Sequence, residues 1–289
     1  MEFIIFDLEW NNAYNYKTKT GMNEIIEIGA VKLNERLEII DTFKQLIKPQ
    51  VSKKLGSRFK NLTNITMEEI NASGVDFDKA FADFARWSGG KENIFLSWSN
   101  SDLYTLVFNY QRFKNTSYID FLGYYADAQK YCMSFLENCN SGNQISLSKC
   151  AERFDININD LSLHRALEDC YVTALCFKKV YNKEKFFSFV SKCDKAFFER
   201  LIFKPYSITN LNEDIFDVYS VALECPVCGG EVVVLNEYEF SNNAFRNAGK
   251  CKKCQKKLWV YVRAKKTYDD IVVSKRLVVI NKKRAKYIN

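Results

Sequence analysis

Asp7 and Glu9 stand two residues apart in the run Phe3-Ile4-Ile5-Phe6-Asp7-Leu8-Glu9. The β-branched and aromatic residues before them read as a buried strand. The two-residue period of a strand then puts both carboxylates on one face, their Cα atoms about 6.5–7 Å apart. Two acids on an apolar strand are costly to bury unless a cation offsets their charge, which makes the pair a candidate site for a hard divalent ion. The bland alternative is a strand end emerging into solvent. Two further acids lie far along the chain. Asp102 follows the apolar strand Ile94-Phe95-Leu96-Ser97-Trp98 and begins a helix, with Asn100 or Ser101 as candidate N-cap. Asp169 lies beside the apolar stripe Ala166, Cys170, Thr173, Ala174 and Phe177 of a helix read over residues 163–181. His164, the single histidine of the chain, precedes Asp169 by five residues. With an ordinary pKa near ~6.5, an imidazole can accept a proton at neutral pH.

A second chemical signal lies near the C-terminus. Four of the ten cysteines form two Cys-x-x-Cys pairs, Cys225/Cys228 and Cys251/Cys254, with 22 residues between them. Such turns can place four thiolates tetrahedrally about Zn²⁺, and a complete set of four leaves no open position, so the zinc is expected to be structural. The other six (Cys132, Cys139, Cys150, Cys170, Cys176, Cys193) read as reduced, mostly buried thiols. Around the second pair, Lys250, Lys252, Lys253, Lys256, Lys257, Arg263, Lys265 and Lys266 interleave with Trp259, Tyr261 and Tyr268. Cations for phosphates and rings for bases suit single-stranded nucleic acid; a ribbon that docks a protein is the competing reading.

The elements that must position these groups follow from apolar periodicity. Strands are expected over residues 2–9, 24–33 and 39–47, the last stopping before Pro49. Helical spacing appears at Phe77, Phe81, Phe84 and Trp87, and again at Leu103, Leu106, Val107 and Tyr110. A fifth strand is expected near Tyr118-Ile119 and a helix over residues 146–154. Glu27 reads as an exposed strand residue, with a supporting position behind the acid cluster as the alternative. Phe186, Val190, Cys193, Phe197 and Leu201 read as one connecting helix. Short strands then follow at residues 232–234, 258–262 and 271–280. The expected organisation is an α/β catalytic domain over residues 1–182, a helical connector over 183–224, and a β-rich zinc ribbon over 225–289.

Composition narrows the function classes. The 289 residues carry a net charge of +7, yet residues 225–289 hold 15 Lys and Arg against five Asp and Glu, so the remainder is slightly acidic. A basic tail on an acidic body points to a polyanionic partner. No run of ~18 apolar residues exists to span a membrane. The apolar start is followed at once by Asp7 and Glu9, unlike an export signal. The expected location is therefore cytoplasmic, with no membrane partner. With 11 Gly and three Pro, collagen-like and Pro-rich architectures are excluded.

Taken together, Phe6-Asp7-Leu8-Glu9, Trp98-Ser99-Asn100-Ser101-Asp102 and Leu163-His164-Arg165-Ala166-Leu167-Glu168-Asp169 resemble the DEDDh exonucleases of the DnaQ-like superfamily, over residues 1 to about 182. Leu62-Thr63-Asn64-Ile65-Thr66, the Trp98-x-Asn100-x-Asp102 spacing and Tyr118-Ile119-Asp120 look like its KapD-like, small-RNA exonuclease branch. The resemblance implies an RNase H-like fold with a mixed five-stranded sheet flanked by helices. It implies metal-dependent 3′→5′ hydrolysis of RNA or DNA to nucleoside 5′-monophosphates, with two Mg²⁺ or Mn²⁺ ions held by Asp7, Glu9, Asp102 and Asp169 and with His164 as general base. The alternative is a nucleic-acid- or partner-binding protein that uses a nuclease-like platform without hydrolysis. The chain departs from the family at Trp10-Asn11-Asn12, where many relatives have a Thr, and at Ser99 and Ser101, where the branch has Gly and Trp. These changes spare the ligands and alter substrate packing. Candidate substrate contacts are Leu8, Trp10 and Asn100 in the first domain and Lys252, Lys253 and Trp259 in the ribbon; a Trp10 that caps the core is the equal alternative to one that stacks on a terminal base.

Overall fold

The computed structural model describes residues 1–16, 19–139, 143–158, 164–211 and 215–280. The chain divides into two compact units, Met1–Ile202 and Phe203–Asn289. Among the described residues no helix is long and apolar enough to cross a membrane.

The first unit is built on a mixed sheet. Its strands are β1 (Phe3–Asn15), β2 (Thr20–Leu33), β3 (Ile39–Leu46), β4 (Ile94–Ser97), β5 (Tyr124–Asp127) and β6 (Ser191–Lys192), in the order β3-β2-β1-β4-β5-β6. Around it lie α1 (Ser57–Thr63), α2 (Met67–Ser73), α3 (Phe77–Ser88), α4 (Asn100–Lys114), α5 (Ala128–Met133), α6 (Leu147–Arg153), α7 (Ala166–Val180), α8 (Lys183–Phe187) and α9 (Lys195–Ile202). β1 is antiparallel to β2 and parallel to β4, so it is a central strand paired along both edges. Alternation along it splits the core: Phe3 and Ile5 pack with Cys170, Val172 and Phe177 of α7, while Ile4, Phe6 and Leu8 pack with Phe84 of α3 and Leu103 and Leu106 of α4. Each fully buried side chain of this size contributes about 1.5–3 kcal/mol relative to exposure. Asp7 and Glu9 share the parity of Phe3 and Ile5 and therefore point to the face that receives α7.

Pairing between β1 and β4 runs only through Phe3–Ile94, Ile4–Phe95 and Ile5–Leu96. Beyond Ile5 the two strands part at their carboxyl ends, where open α/β sheets form clefts. On the other side, the ladder of β1 with β2 slips between Glu9 and Trp10, leaving Ile26 as an extra residue on β2. Ile26 packs with Phe59 of α1 and Ile70 of α2 in a small separate core, which brings α1 toward the same end of the sheet.

Several expectations are revised. Residues 118–119 form no strand; Ile119 and Leu122 are fully buried in a turn closed by Leu122 N–H donating to the Ile119 carbonyl, and the fifth strand starts at Tyr124. Both segments carry Tyr beside an apolar residue or a second Tyr, so composition does not separate them; only pairing with β4 does. A sixth strand, β6, extends the expected five by pairing with Tyr124 and Tyr125. That strand also divides the expected connecting helix into α8 and α9, because Cys193 N–H donates to the Gly123 carbonyl and holds the chain extended there. The helix expected over residues 163–181 is shorter: Leu163 lies outside the described residues, His164 has φ 73°, Arg165 is an extended N-cap, and α7 (Ala166–Val180) begins after it.

The second unit is a six-stranded antiparallel sheet. β8 (Val232–Val234), β10 (Ala244–Cys251), β11 (Lys257–Lys266) and β12 (Ile271–Val279) form its spine, with β7 (Tyr206–Ser207) on β11 and β9 (Glu239–Ser241) on β10. Phe245, Leu258, Val260 and Val262 fill its inner face. The opposite parity of β10 and β11 carries Arg246, Trp259, Tyr261 and Arg263.

Candidate active site

Three elements bring the acids together. Asp7 and Glu9 come from β1 and Asp169 from α7; one carboxylate oxygen from each lies within 4.8 Å of the others. The approach of α7 depends on Gly29, which pairs with Asp7 across the ladder. A Cβ on Gly29 would fall 2.3 Å from the Ala166 carbonyl carbon and from the Leu167 nitrogen. Only glycine permits that separation. The N-terminus of α7 is tied down by Glu27, which is fully buried, contrary to its reading as an exposed strand residue. Its carboxylate accepts from Arg165 Nη2 at 2.8 Å, Arg165 Nε at 3.2 Å and Ala166 N–H at 3.2 Å. Arg165 also reaches Glu69 on α2 at 3.0 Å. An acid at a helix N-terminus is favoured by the helix dipole, and here it also sets where Asp169 stands one turn on.

Asp102 arrives from the other face and sits slightly deeper. It is only 4% exposed, and its Oδ1 accepts from Leu8 N–H at 3.1 Å, between the two acids of β1. It lies outside the tight trio yet is bonded to the same strand. The N-cap of α4 is Ser99 rather than Asn100 or Ser101, with Ser99 Oγ accepting from Ser101 N–H at 3.2 Å. Ser99 has φ 82° and ψ 166°, a backbone region that costs non-glycine residues strain. Its carbonyl is held there by Ser97 Oγ at 2.7 Å and Tyr125 Oη at 3.0 Å. This is the position at which the resembling branch carries Gly.

Burial and like charge act together on these acids. Burial, then the charges of Asp102, Asp169 and Glu9, hold the Asp7 carboxyl well above its usual range. Glu9 is pushed up to about 8 by burial and by Asp169, Glu27 and Asp102. Asp102 also rises to about 8 through burial, although the Leu8 N–H opposes the shift. Asp169 is raised by burial, against the backbone N–H and charge of His164. Such a cluster is suited to a cation, because a divalent ion reverses every one of these shifts. The donors are all oxygen, the chemistry of Mg²⁺ or Mn²⁺ rather than of a soft metal.

The acids open into a cleft of about 570 Å³ whose lining includes Asp7, Glu9, Asp102, His164 and Asp169. His164 is exposed at φ 73° and borders Asp169. Leu8 and Trp10 line the cleft, Leu8 with its side chain buried in the core and Trp10 partly buried against the same core; Asn100 is not part of the lining. Arg58, Phe59 and Leu62 of α1 complete one wall. Sequence reasoning missed Arg58, and it missed Asn11 and Glu24, which fix the loop before α1. Asn11 accepts from Gly56 N–H at 2.8 Å, and Glu24 accepts from the backbone N–H groups of Val51 at 2.6 Å and Ser52 at 3.1 Å. Their signal was a polar residue in an otherwise buried strand stretch, which has to find a partner.

In the second unit, Cys225, Cys228, Cys251 and Cys254 bring their sulfurs within 4.8 Å of one another. Cys225 Sγ lies 3.6 Å from Cys254 Sγ, and Cys228 Sγ 3.5 Å from Cys251 Sγ. A tetrahedron with Zn–S bonds of ~2.3 Å has edges of about 3.8 Å, so the four thiols fit a structural metal. Gly229, at φ 67°, turns the first knuckle so that its N–H meets the Cys225 carbonyl at 2.9 Å. Gln255 takes the same left-handed turn in the second knuckle, donating to the Cys251 carbonyl at 3.0 Å. Cys254 N–H lowers the Cys251 thiol to about 6, which favours the ligating thiolate. Lys252 pairs with Glu231 at 2.7 Å, Lys253 is exposed, and Trp259 is half-buried on β11.

Comparison with known proteins agrees with this architecture. The exonuclease family model of RNase T type matches residues 4–177, a span that holds all five candidate active-site residues. The chain is 26% identical over 218 residues to the PolC-type DNA polymerase III of Ureaplasma parvum serovar 3, which covers 73% of this chain and 12% of that protein. It is 27% identical over 107 residues to the probable 3′-5′ exonuclease KapD of Bacillus subtilis strain 168, covering 37% of this chain and 51% of that protein. The chain thus spans about half or less of the length of these curated relatives. Among solved structures, a 3′-exonuclease described in 3′-end-specific recognition of a histone mRNA stem-loop superposes with a TM-score of 0.52 at 21% identity, over 62% of each chain, which is a likeness of fold.

Proposed function

The chain belongs to the RNase T-type exonuclease family, and on that premise we propose that it is a metal-dependent 3′→5′ exonuclease releasing nucleoside 5′-monophosphates from RNA or DNA. The observation that carries this reading is the convergence of Asp7, Glu9 and Asp169, with Asp102 bonded to the same strand, at the mouth of one cleft. Asp7, Glu9, Asp102 and Asp169 would hold the Mg²⁺ or Mn²⁺ pair. Bound there, two divalent ions supply Lewis-acid stabilisation of the charge that builds at phosphorus and on the leaving oxygen.

The rest falls to this chain's own side chains. His164, exposed at the cleft edge beside Asp169, accepts the proton of the attacking water, and the Asp169 carboxylate favours the imidazolium that results. Trp10 contacts the terminal nucleotide, its indole offering a stacking face, whereas the Leu8 side chain stays buried in the core and offers only its backbone to the cleft. Arg58 gives the cleft wall a cation for the phosphodiester backbone. In the second unit the four cysteines hold a structural Zn²⁺, and the basic strands beyond them bind the single strand.

The test is degradation of matched 5′-labelled RNA and DNA, single- and double-stranded, with Mg²⁺, Mn²⁺ or chelator. A ladder shortening from the 3′ end, with 5′-monophosphates released only with metal, supports the reading. Intact strands under every metal condition, or cuts at internal positions first, would defeat it.

A further inference from the structure

We propose that the outer face of the second unit's sheet is a binding groove for single-stranded nucleic acid, built on Arg246, Trp259, Tyr261, Arg263 and Arg276. The groove has a volume of about 470 Å³, and those five residues are part of its lining. The residues are not neighbours in sequence; the register of three strands assembles them. Tyr261 on β11 stands directly between Arg246 on β10 and Arg276 on β12. Two residues earlier, Trp259 is flanked in the same way by Ala248 and Val278, and two residues later Arg263 faces Ser274. The face is therefore a row of cations beside two rings on alternate positions of one strand, about 6.5–7 Å apart along it.

Two observations point to an anionic, π-faced occupant. The Arg246 guanidinium lies over the Tyr261 ring, 5.3 Å from its centroid, while its Nε is buried without a hydrogen-bond partner. A charged donor left unsatisfied is expensive unless an acceptor arrives. Among the described residues, Arg246, Arg263 and Arg276 make no ion pair with any acid; Glu239, in register with Arg246 on β9, is not bonded to it. The lysines next to the knuckles are less free: Lys252 is already committed to Glu231. Phosphates fit the three guanidiniums, and unpaired bases fit Trp259 and Tyr261, whose faces a duplex cannot use because its bases are already stacked. An acidic protein segment would use the cations but leave the rings without a role.

The identity of the occupant rests on the exonuclease reading; the groove itself does not. The intact chain is titrated with a fluorescent single-stranded oligonucleotide, with no Mg²⁺ or Mn²⁺ added, across a range of salt concentrations. Replacing Arg246→Ser, Arg263→Ser and Arg276→Ser together should weaken binding at least tenfold and lower the salt slope by about 2, at ~0.7 per phosphate contact on a single strand. Trp259→Ala should weaken binding with the slope unchanged. The charge-matched control removes Lys178, Lys179 and Lys183 from the first unit. Arg-to-Lys replacement at the same three positions keeps the slope, which separates lost contacts from lost folding, and zinc content reports the fold directly. An arginine variant that binds like the control overturns the proposal. So does equal competition by an acidic peptide of the same charge, which would make the face a protein dock. Cleavage of a dinucleotide by the unaltered chain tests the exonuclease reading separately.

Discussion

The Arg165 guanidinium grips the Glu27 carboxylate with two hydrogen bonds, at 2.8 and 3.2 Å, where the carboxylate is wholly removed from solvent. Glu27 also accepts the first N–H of α7, so this pair links the sheet to the helix that carries Asp169. Removing Glu27 takes the buried acceptor from the first N–H of α7 and leaves the partly buried Arg165 with Glu69 alone. Glu27→Ala should cost about 3 kcal/mol in urea unfolding and also reduce hydrolysis, because α7 loses its anchor. A loss under ~0.5 kcal/mol, the size expected of a surface substitution, would contradict this role.

Asp7→Asn and Asp169→Asn should each abolish hydrolysis with the fold intact. Each change also removes one charge from a crowded cluster. Without divalent ions the variants should therefore melt at or above the temperature of the unaltered chain, and Mg²⁺ or Mn²⁺ should raise that temperature less than it raises the parent's. An Asp7→Asn chain with full activity would refute the metal assignment.

The raised acids give a pH signature with a definite sign. Glu9 and Asp102 titrate at about 8 in the folded chain and Asp7 and Asp169 are raised, whereas unfolded carboxylates titrate near ~4. Between those values the folded state holds more protons than the unfolded state, so the contribution of these groups to stability is full below pH ~4 and is lost as pH rises toward ~8. A bound cation lowers their pKa values and cancels the loss. The gap between metal-loaded and metal-free melting temperatures should widen from pH 5 to pH 8. A gap that stays constant would count against the shared site.

His164→Ala should reduce the turnover rate by about 10²–10⁴-fold, the range for a positioned base, with little change in metal-induced stabilisation. Lost turnover beside unchanged metal-induced stabilisation separates this role from metal binding. A variant as fast as the unaltered chain would assign the proton transfer elsewhere.

Cys251→Ser, or exhaustive chelation, should unfold the second unit, since four thiolates about one zinc contribute on the order of 10 kcal/mol to folding. The check is circular dichroism together with metal content. A chelated chain that retains its β signal and full oligonucleotide affinity would show that the knuckles are dispensable.

Much of the site was legible because its rules are local. The two-residue period of a strand is enough to put Asp7 and Glu9 on one face, and the Cys-x-x-Cys spacing is enough to pair the knuckles. The stripe of α7 likewise announced a helix that carries Asp169 on its core-facing side. What the sequence left open were relations between distant residues. Glu27 looks like any strand glutamate until α7 covers it and Arg165 reaches it across 138 positions. Tyr118-Ile119 and Tyr124-Tyr125 have similar character, and only hydrogen bonding to β4 selects the second. The Arg246–Tyr261–Arg276 row exists because two ladders hold one register, whereas reading along the chain favoured the lysines beside the knuckles. Periodicity is written in neighbouring residues; burial, strand register and helix–sheet approach arise only when remote segments compete for the same space.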